Sequence, residues 1–177
     1  PPGTVTIIIG GPPCQEYSDA NRDRNPEEGD RLVLEYCRIV HESQPDCFLM
    51  ENVHRVPTVE IDGYTIQRLP LIDTECGGTQ SRLRHIQFGS RRGHIIRPER
   101  VEAPPKASPT VTCRRKPGES HASRCKAQGV DLPLRSFTKM ARDRAIGNGV
   151  PMTMARVLAS AVAARSRRNV FDCVCGC

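Results

Sequence analysis

The stretch Thr4–Ile9 is a β-branched apolar run that stops at Gly10-Gly11 and passes directly into Pro12-Pro13-Cys14-Gln15. A continuous run of this kind, closed by glycine, reads as a parallel strand buried on both faces. Two prolines in succession fix φ in the turn that follows. That turn delivers a thiol to the carboxyl edge of the strand, where open α/β sheets bind their ligands. Cys14 is then either a nucleophile or a small core residue, the usual fate of a lone cysteine. The turn alone leaves both open, because a catalytic cysteine needs partners elsewhere in the chain.

Further blocks follow in order. A second apolar run, Cys47–Met50, closes on Glu51-Asn52-Val53 and places a carboxylate at another strand end. Gln80-Ser81-Arg82-Leu83-Arg84 leads into the strand-like His85–Gly89, and Gly147-Asn148-Gly149-Val150-Pro151 opens an apolar helical stretch. Between the first two blocks, residues 15–29 read as a long polar surface loop. Asp30 is the expected cap of a helix over Arg31–Ser43, whose Leu32, Val33, Tyr36, Cys37, Ile39 and Val40 form one broad face ended by Pro45. This first unit is β-loop-α-β, expected right-handed and parallel.

Residues 53–61 contain Pro57 and leave little room for a helix. Tyr64–Leu69 reads as a strand, followed by a turn at Gly77-Gly78. From 90 to 126, Pro98, Pro104, Pro105, Pro109 and Pro117 break any long element, so an irregular region is expected. Ser136–Ala145 reads as helical. Pro151–Arg165 is an Ala-rich helix with Met154, Val157, Leu158, Ala161 and Val162 at helical spacing, and with Arg165, Arg167 and Arg168 near its C-terminal end, where cations favour the dipole.

The hydrophobic fraction of 37%, with 4% aromatic residues and no Trp, makes a thin core for 177 residues. No apolar stretch approaches a membrane span and no signal peptide is visible. A start at Pro1-Pro2 reads as a segment of a longer product. Nine cysteines is an odd number, and their scatter fits a reducing compartment better than a disulfide framework. Cys37 and Cys47 read as core. Cys173, Cys175 and Cys177 are closely spaced and suit zinc, but a closed site needs a fourth ligand, so the signal is weak and no metal is expected.

Charge is unevenly placed. Residues 1–89 carry 8 Lys/Arg against 14 Asp/Glu, residues 90–126 carry 10 against 3, and residues 127–177 carry 8 against 3. A basic segment after an acidic half points to a polyanion partner, and a solvated loop surface is the competing reading.

With these four blocks in this order and spacing, the chain resembles the DNA cytosine-5 methyltransferase family over most of its length. The resemblance implies an α/β fold: a partial Rossmann-like methyltransferase sheet, mostly parallel, with a small basic, irregular recognition insertion. It implies a catalytic domain over residues 1–89, a target-recognition insertion over 90–126, the return of the catalytic domain over 127–168 and a Cys-rich tail over 169–177. The implied partner is double-stranded DNA and the implied cofactor S-adenosyl-L-methionine, in the cytoplasm of a bacterium or phage host or in a eukaryotic nucleus.

Cys14 would be the thiolate that adds to carbon 6 of a flipped cytosine. Glu51, kept partly protonated by burial, would bond N3 and the exocyclic amine. Arg84 would hold O2, with Arg82 in support. Pro12, Asn148, Gly149 and Val150 would contact the cofactor. Gln15, Ser18, Gln80, Arg91, Arg92, Arg114 and Arg115 would meet the nucleic acid, as would Arg22, Arg24 and Arg31 of the 15–29 loop.

The family builds most of its cofactor pocket from blocks that precede the Pro-Pro-Cys turn, so the resemblance also implies a missing amino-terminal half. A tRNA-directed member of the family and an inactive nucleic-acid-binding fragment are the alternative readings.

Overall fold

The first strand, β1 (Ile7–Gly10), runs parallel to β2 (Cys47–Asn52), with Ile7 opposite Cys47 and Gly10 opposite Met50. On its other side β2 pairs antiparallel with β4 (Leu83–Ser90), from Cys47 opposite Ser90 to Asn52 opposite His85. β3 (Thr65–Ile72) lies beyond β4, so the sheet order is β1-β2-β4-β3. These features belong to a computed structural model, which describes residues 6–18, 21, 23, 25–104, 106–130 and 137–167. The chain divides into two units, Pro1–Pro70 with Arg84–Arg97 and Ala164–Cys177, and Leu71–Leu83 with Pro98–Ala163.

In the first unit, helix α1 (Pro26–Ser43) lays Val33, Tyr36 and Val40 on Phe48 and Met50 of the sheet. Val56, Val59 and Ile61 complete this core. Full burial of a side chain such as Phe48 contributes roughly 1.5–3 kcal/mol. Two glycines permit the close approach. A Cβ on Gly10 would fall 2.6 Å from Tyr36 Cε2, and one on Gly89 would overlap the Phe48 ring. Residues 53–61 are held without a helix. The buried Gln87 side chain donates to Pro57 O (2.8 Å) and accepts from the Val59 N–H (2.8 Å). A two-stranded antiparallel pair, β5 (His94–Ile95) with β6 (Ser166–Arg167), also belongs to this unit.

In the second unit, the Asp73 carboxylate is wholly buried and accepts from the Gln80 N–H (3.0 Å) and from the Thr153 hydroxyl. It closes a turn that follows β3 and fastens helix α4 (Met152–Ala163). Helices α2 (His121–Gln128) and α3 (Lys139–Asn148) precede α4. Met154, Leu158 and Ala161 are buried along α4, as their spacing predicts.

The mixed α/β architecture and the parallel β1–β2 pair agree with the sequence reading, and several details differ. Among the described residues β1 lies at the edge of the sheet, with Ile9 69% exposed, where a buried strand was expected. Thr4 and Val5 lie outside the described residues. The β2–β4 pairing is antiparallel, which a mostly parallel sheet does not anticipate.

α1 starts more than a turn before Arg31, because Asn25 caps it through the Glu28 N–H and Pro26 takes the first helical position. Asp30 therefore sits inside the helix. α2 occupies a stretch that the prolines had marked as irregular. It begins at a reciprocal Ser120/Ser123 cap and ends at Gly129 with φ +67°. α3 begins at Lys139 behind a Thr138 cap, and Ser136 lies outside the described residues.

Gly89→Ala is predicted to destabilise the chain by about 1–3 kcal/mol, because the Phe48 ring has no room to yield. Urea denaturation measures it, and a change under about 0.5 kcal/mol contradicts the packing described.

Candidate active site

Because Gly10 is opposite Met50, the residues leaving the two strands continue side by side. The Glu51 carboxylate lies against Gly11, where a Cβ would come within 3.1 Å of Oε2. Asn52 is 2% exposed and its Nδ2 donates to the Pro12 carbonyl (3.1 Å), which fixes the Pro-Pro turn onto the end of β2. Pro12 itself is buried. β4 arrives from the opposite direction and contributes Arg84, whose Nε lies 2.6 Å from Glu51 Oε1. The two side chains are 15% and 17% exposed, so this is a largely desolvated ion pair.

Cys14 is half-buried and caps a short 3-10 turn, Gln15–Tyr17, with φ −96° and ψ 5°. This is the sparsely populated bridge region in which many active-site residues sit. Its carbonyl accepts from the Tyr17 N–H (3.1 Å). Tyr17 is buried and its hydroxyl donates to Asp30 on α1. Burial first, and the Asp30 bond second, raise the phenol well above its ordinary range. Gly29 lets the helix pass, since a Cβ there would sit 2.8 Å from Tyr17 Cε2. The polar segment after Cys14 is thus anchored at both ends. Arg22 and Arg24 lie outside the described residues, and Arg31 pairs with Glu28 at 2.7 Å.

Other thiols have different surroundings. Cys47 and Cys76 are buried, and burial raises both, Cys76 to about 11 with Asp73 and Glu75 adding to the effect. Both are inert structural thiols by this measure.

Arg82 and Arg84 are separated in role. Arg82 is 1% exposed and lies in the second unit, where it donates to the carbonyls of Val111 (2.8 Å), Gly147 (2.9 Å) and Gly149 (3.1 Å). It holds the segment at the end of α3. Asn148, Gly149 and Val150 follow there, and the Asn148 side-chain oxygen accepts from the Cys113 thiol (2.6 Å). The 108–112 segment docks on the Arg82 block through Ser81 N–H to Ser108 O (2.9 Å) and Thr110 Oγ1 to Ser81 O (3.2 Å).

The residues expected at a nucleic-acid surface divide. Gln15, Arg91, Arg92 and Arg114 are exposed and Ser18 is half-buried. Arg92 lies 3.5 Å from Asp46, and Arg91 donates to Gln44 O (3.4 Å). Gln80 is fully buried, with its amide bonded to Ala127 O (2.9 Å) and Gln128 Oε1 (3.1 Å), so it is an internal residue and not a surface contact. Arg115 pairs with Asp143 at 2.9 Å. Arg124, absent from the sequence reading, is 1% exposed and donates to Thr112 O (2.6 Å) and Asp143 O (3.0 Å). Among the described residues, no group of three or more His, Cys, Asp or Glu could hold a metal, and Cys173, Cys175 and Cys177 lie outside them.

The Arg115 hydrogen bond foremost, with Arg124 and His121 adding, holds the Asp143 carboxyl below its usual range. A depressed folded-state pKa gives stability that is present above about pH 4 and lost as pH falls through the lowered value. Asp143→Asn is predicted to flatten the acid limb of the pH–stability curve below about pH 4, followed by urea midpoints. An unchanged acid limb contradicts the pairing.

Residues 1–124 match the model for the C-5 cytosine-specific DNA methylase family. The chain belongs to that family. Among curated relatives, the type II methyltransferase M.HgiDI of Herpetosiphon aurantiacus is 33% identical over 124 residues, covering 64% of this chain and 40% of the relative. The type II methyltransferase M.AgeI of Thalassovita gelatinovora is 33% identical over 110 residues, covering 55% of this chain and 26% of the relative. The chain therefore spans less than half the length of these relatives. The fold is similar to that of the Entamoeba histolytica methyltransferase EhMeth, with a TM-score of 0.67 at 12% identity, covering 90% of this chain and 77% of that one. No helix among the described residues is long and apolar enough to cross a membrane.

Proposed function

We propose that the chain is part of a DNA cytosine-5 methyltransferase acting through a covalent cysteine adduct. The observation that carries the reading is the meeting of the Pro12 turn, Glu51 and Arg84 at adjacent strand ends, with Cys14 two residues beyond Pro12. Carbon 5 of cytosine is a weak nucleophile. The Cys14 thiolate forms a bond to carbon 6 and the ring π electrons move to carbon 5, which becomes nucleophilic.

Glu51 and Arg84, paired with each other in the free chain, exchange that pairing for the polar edge of the base. Freed from Arg84, the Glu51 carboxyl takes up a proton from solvent and donates it to N3 as the thiolate adds, its other oxygen accepts from the exocyclic amine, and the guanidinium donates to O2. A base inside a duplex cannot reach these groups, so the target is flipped out. After alkylation, a solvent water takes the carbon 5 proton, the C5–H electrons re-form the 5,6 double bond, and the C6–S electrons leave on the Cys14 thiolate.

S-adenosylmethionine, when bound, supplies an electrophilic methyl group. Asn148, Gly149 and Val150 of the second unit are the residues assigned to it. Their fit is partial. Asn148 is exposed and offers an amide, but its oxygen already accepts from the Cys113 thiol. We therefore assign the rest of the cofactor site, including the carboxylates a ribose requires, to an amino-terminal segment beyond these 177 residues. The length of the relatives supports this. The 177-residue chain alone is expected to give little heat on titration with S-adenosylmethionine, and tight binding contradicts the assignment. Exposed Arg91, Arg92 and Arg114 are the proposed phosphate contacts, which position the backbone without reading sequence.

Trapping tests the chemistry. With the full-length product and cofactor, a duplex carrying 5-fluorocytosine should accumulate a covalent adduct at Cys14, because the carbon 5 position holds no removable proton. Cys14→Ser should abolish the adduct and Glu51→Gln should slow it by about 10²–10⁴-fold. An adduct at another cysteine, or one that survives Cys14→Ser, overturns the mechanism.

A further inference from the structure

We propose that Gln128 is a positioning residue for the Asn148-Gly149-Val150 loop, setting the backbone that the cofactor meets. The proposal rests on the reading of that loop as a cofactor contact.

Gln128 is 2% exposed at the last turn of α2. Its two amide protons go to Ile146 O (2.6 Å) and Gly149 O (3.2 Å), and its Oε1 accepts from Gln80 Nε2 (3.1 Å). Gln80 in turn gives its other proton to Ala127 O (2.9 Å) and accepts the Val111 N–H (2.8 Å). Every donor and acceptor of these two amides is used, so neither side chain can turn without orphaning a buried group.

The carbonyls they serve are those a helix cannot serve itself. The last four carbonyls of a helix lack intrahelical partners, and many helices meet them by turning into the left-handed region. α1 and α2 do this, with Gln44 at φ +46° and Gly129 at φ +67°. α3 does not. Its cap, Gly149, is extended (φ −63°, ψ 151°), and the chain runs straight out through Val150 to Pro151. Gln128 on Ile146 and Gly149, and Arg82 on Gly147 and Gly149, take up what the helix leaves over. The extended exit, and the exposure of Asn148 at its start, therefore depend on these side chains.

The backbone at the end of α3 is also held from the other side. A Cβ on Gly147 would collide with the Thr112–Cys113 backbone, so that position must stay glycine.

Gln128→Met keeps the length and removes the donors, and Gln128→Asn keeps the donors but withdraws them by one methylene. In the 177-residue chain, amide exchange at positions 147–150 should accelerate by about tenfold or more in the Met variant and less in the Asn variant, with α1 and β2 amides unchanged. Should the Met variant fail to fold, the Asn variant carries the test. Wild-type exchange rates at 147–150 in the folded variants overturn the positioning role. In the full-length product, the KM for S-adenosylmethionine should rise about tenfold while kcat stays within a few fold. Faster exchange with an unmoved cofactor KM overturns the proposal by removing the loop from the cofactor, and leaves the Cys14 chemistry to its own trapping test.

Discussion

The end of β2 is the constraint on which the candidate site depends. Glu51 and Asn52 are consecutive, so they leave the strand on opposite faces. One reaches Arg84 across the antiparallel β4 ladder, and the other reaches the Pro12 carbonyl across the parallel β1 ladder. A one-residue slip in either pairing exchanges the two faces and separates the groups. The net worth of the Asn52 bond is only about 1 kcal/mol. Removing Arg84 alone costs more, toward the roughly 3–5 kcal/mol of a broken buried pair, discounted for the partial exposure of both groups. Geometry is the larger return. A pair of opposite charges that is mostly shielded from water holds its members in place for a ligand that can replace each in the other's view.

The two units reach definite structures by different means. The first is apolar, with α1 clamped to the sheet by Phe48, Tyr36 and Val40 and with two glycines removing the side chains that would prevent it. The second has fewer large apolar groups and is organised by buried polar ones: Asp73, Gln80, Arg82, Arg124 and Gln128. Charged residues are almost never fully buried unless partnered, and here the partners are mainly backbone carbonyls. A chain with 4% aromatic residues and no Trp can still specify unique packing this way, because a satisfied polar network penalises every alternative that breaks it.

What was legible in the sequence follows from this division. β1, β2, β4 and α4 were visible as apolar runs or helical spacing, and the blocks carrying Glu51 and Arg84 stood at their ends. The start of α1 was legible in principle, since Asn25-Pro26 followed by Glu27 and Glu28 is a cap, a first-turn proline and first-turn acids, but Asp30 offered a competing cap. α2 was hidden by nearby prolines, although Ser120, Ser123 and Gly129 mark both of its ends. Nothing in composition shows that β1 lies at the edge of the sheet among the described residues, because exposure depends on neighbours and not on the strand itself. Arg82 and Arg84 are two apart and look equivalent. Only the tertiary structure sends one to a helix end and the other to a carboxylate. For the same reason the inward turn of Gln80 and the burial of Arg124 could not be read.

The turn held by Asn52 leaves Cys14 half-buried, while Cys47 and Cys76 are buried. Alkylation of the native chain with iodoacetamide, mapped residue by residue by mass spectrometry, tests this difference directly. Cys14 is predicted to react in the folded chain, as exposed Cys113 does, with Cys47 and Cys76 modified only after denaturation. Protection of Cys14 to the degree found at Cys47 would contradict the account.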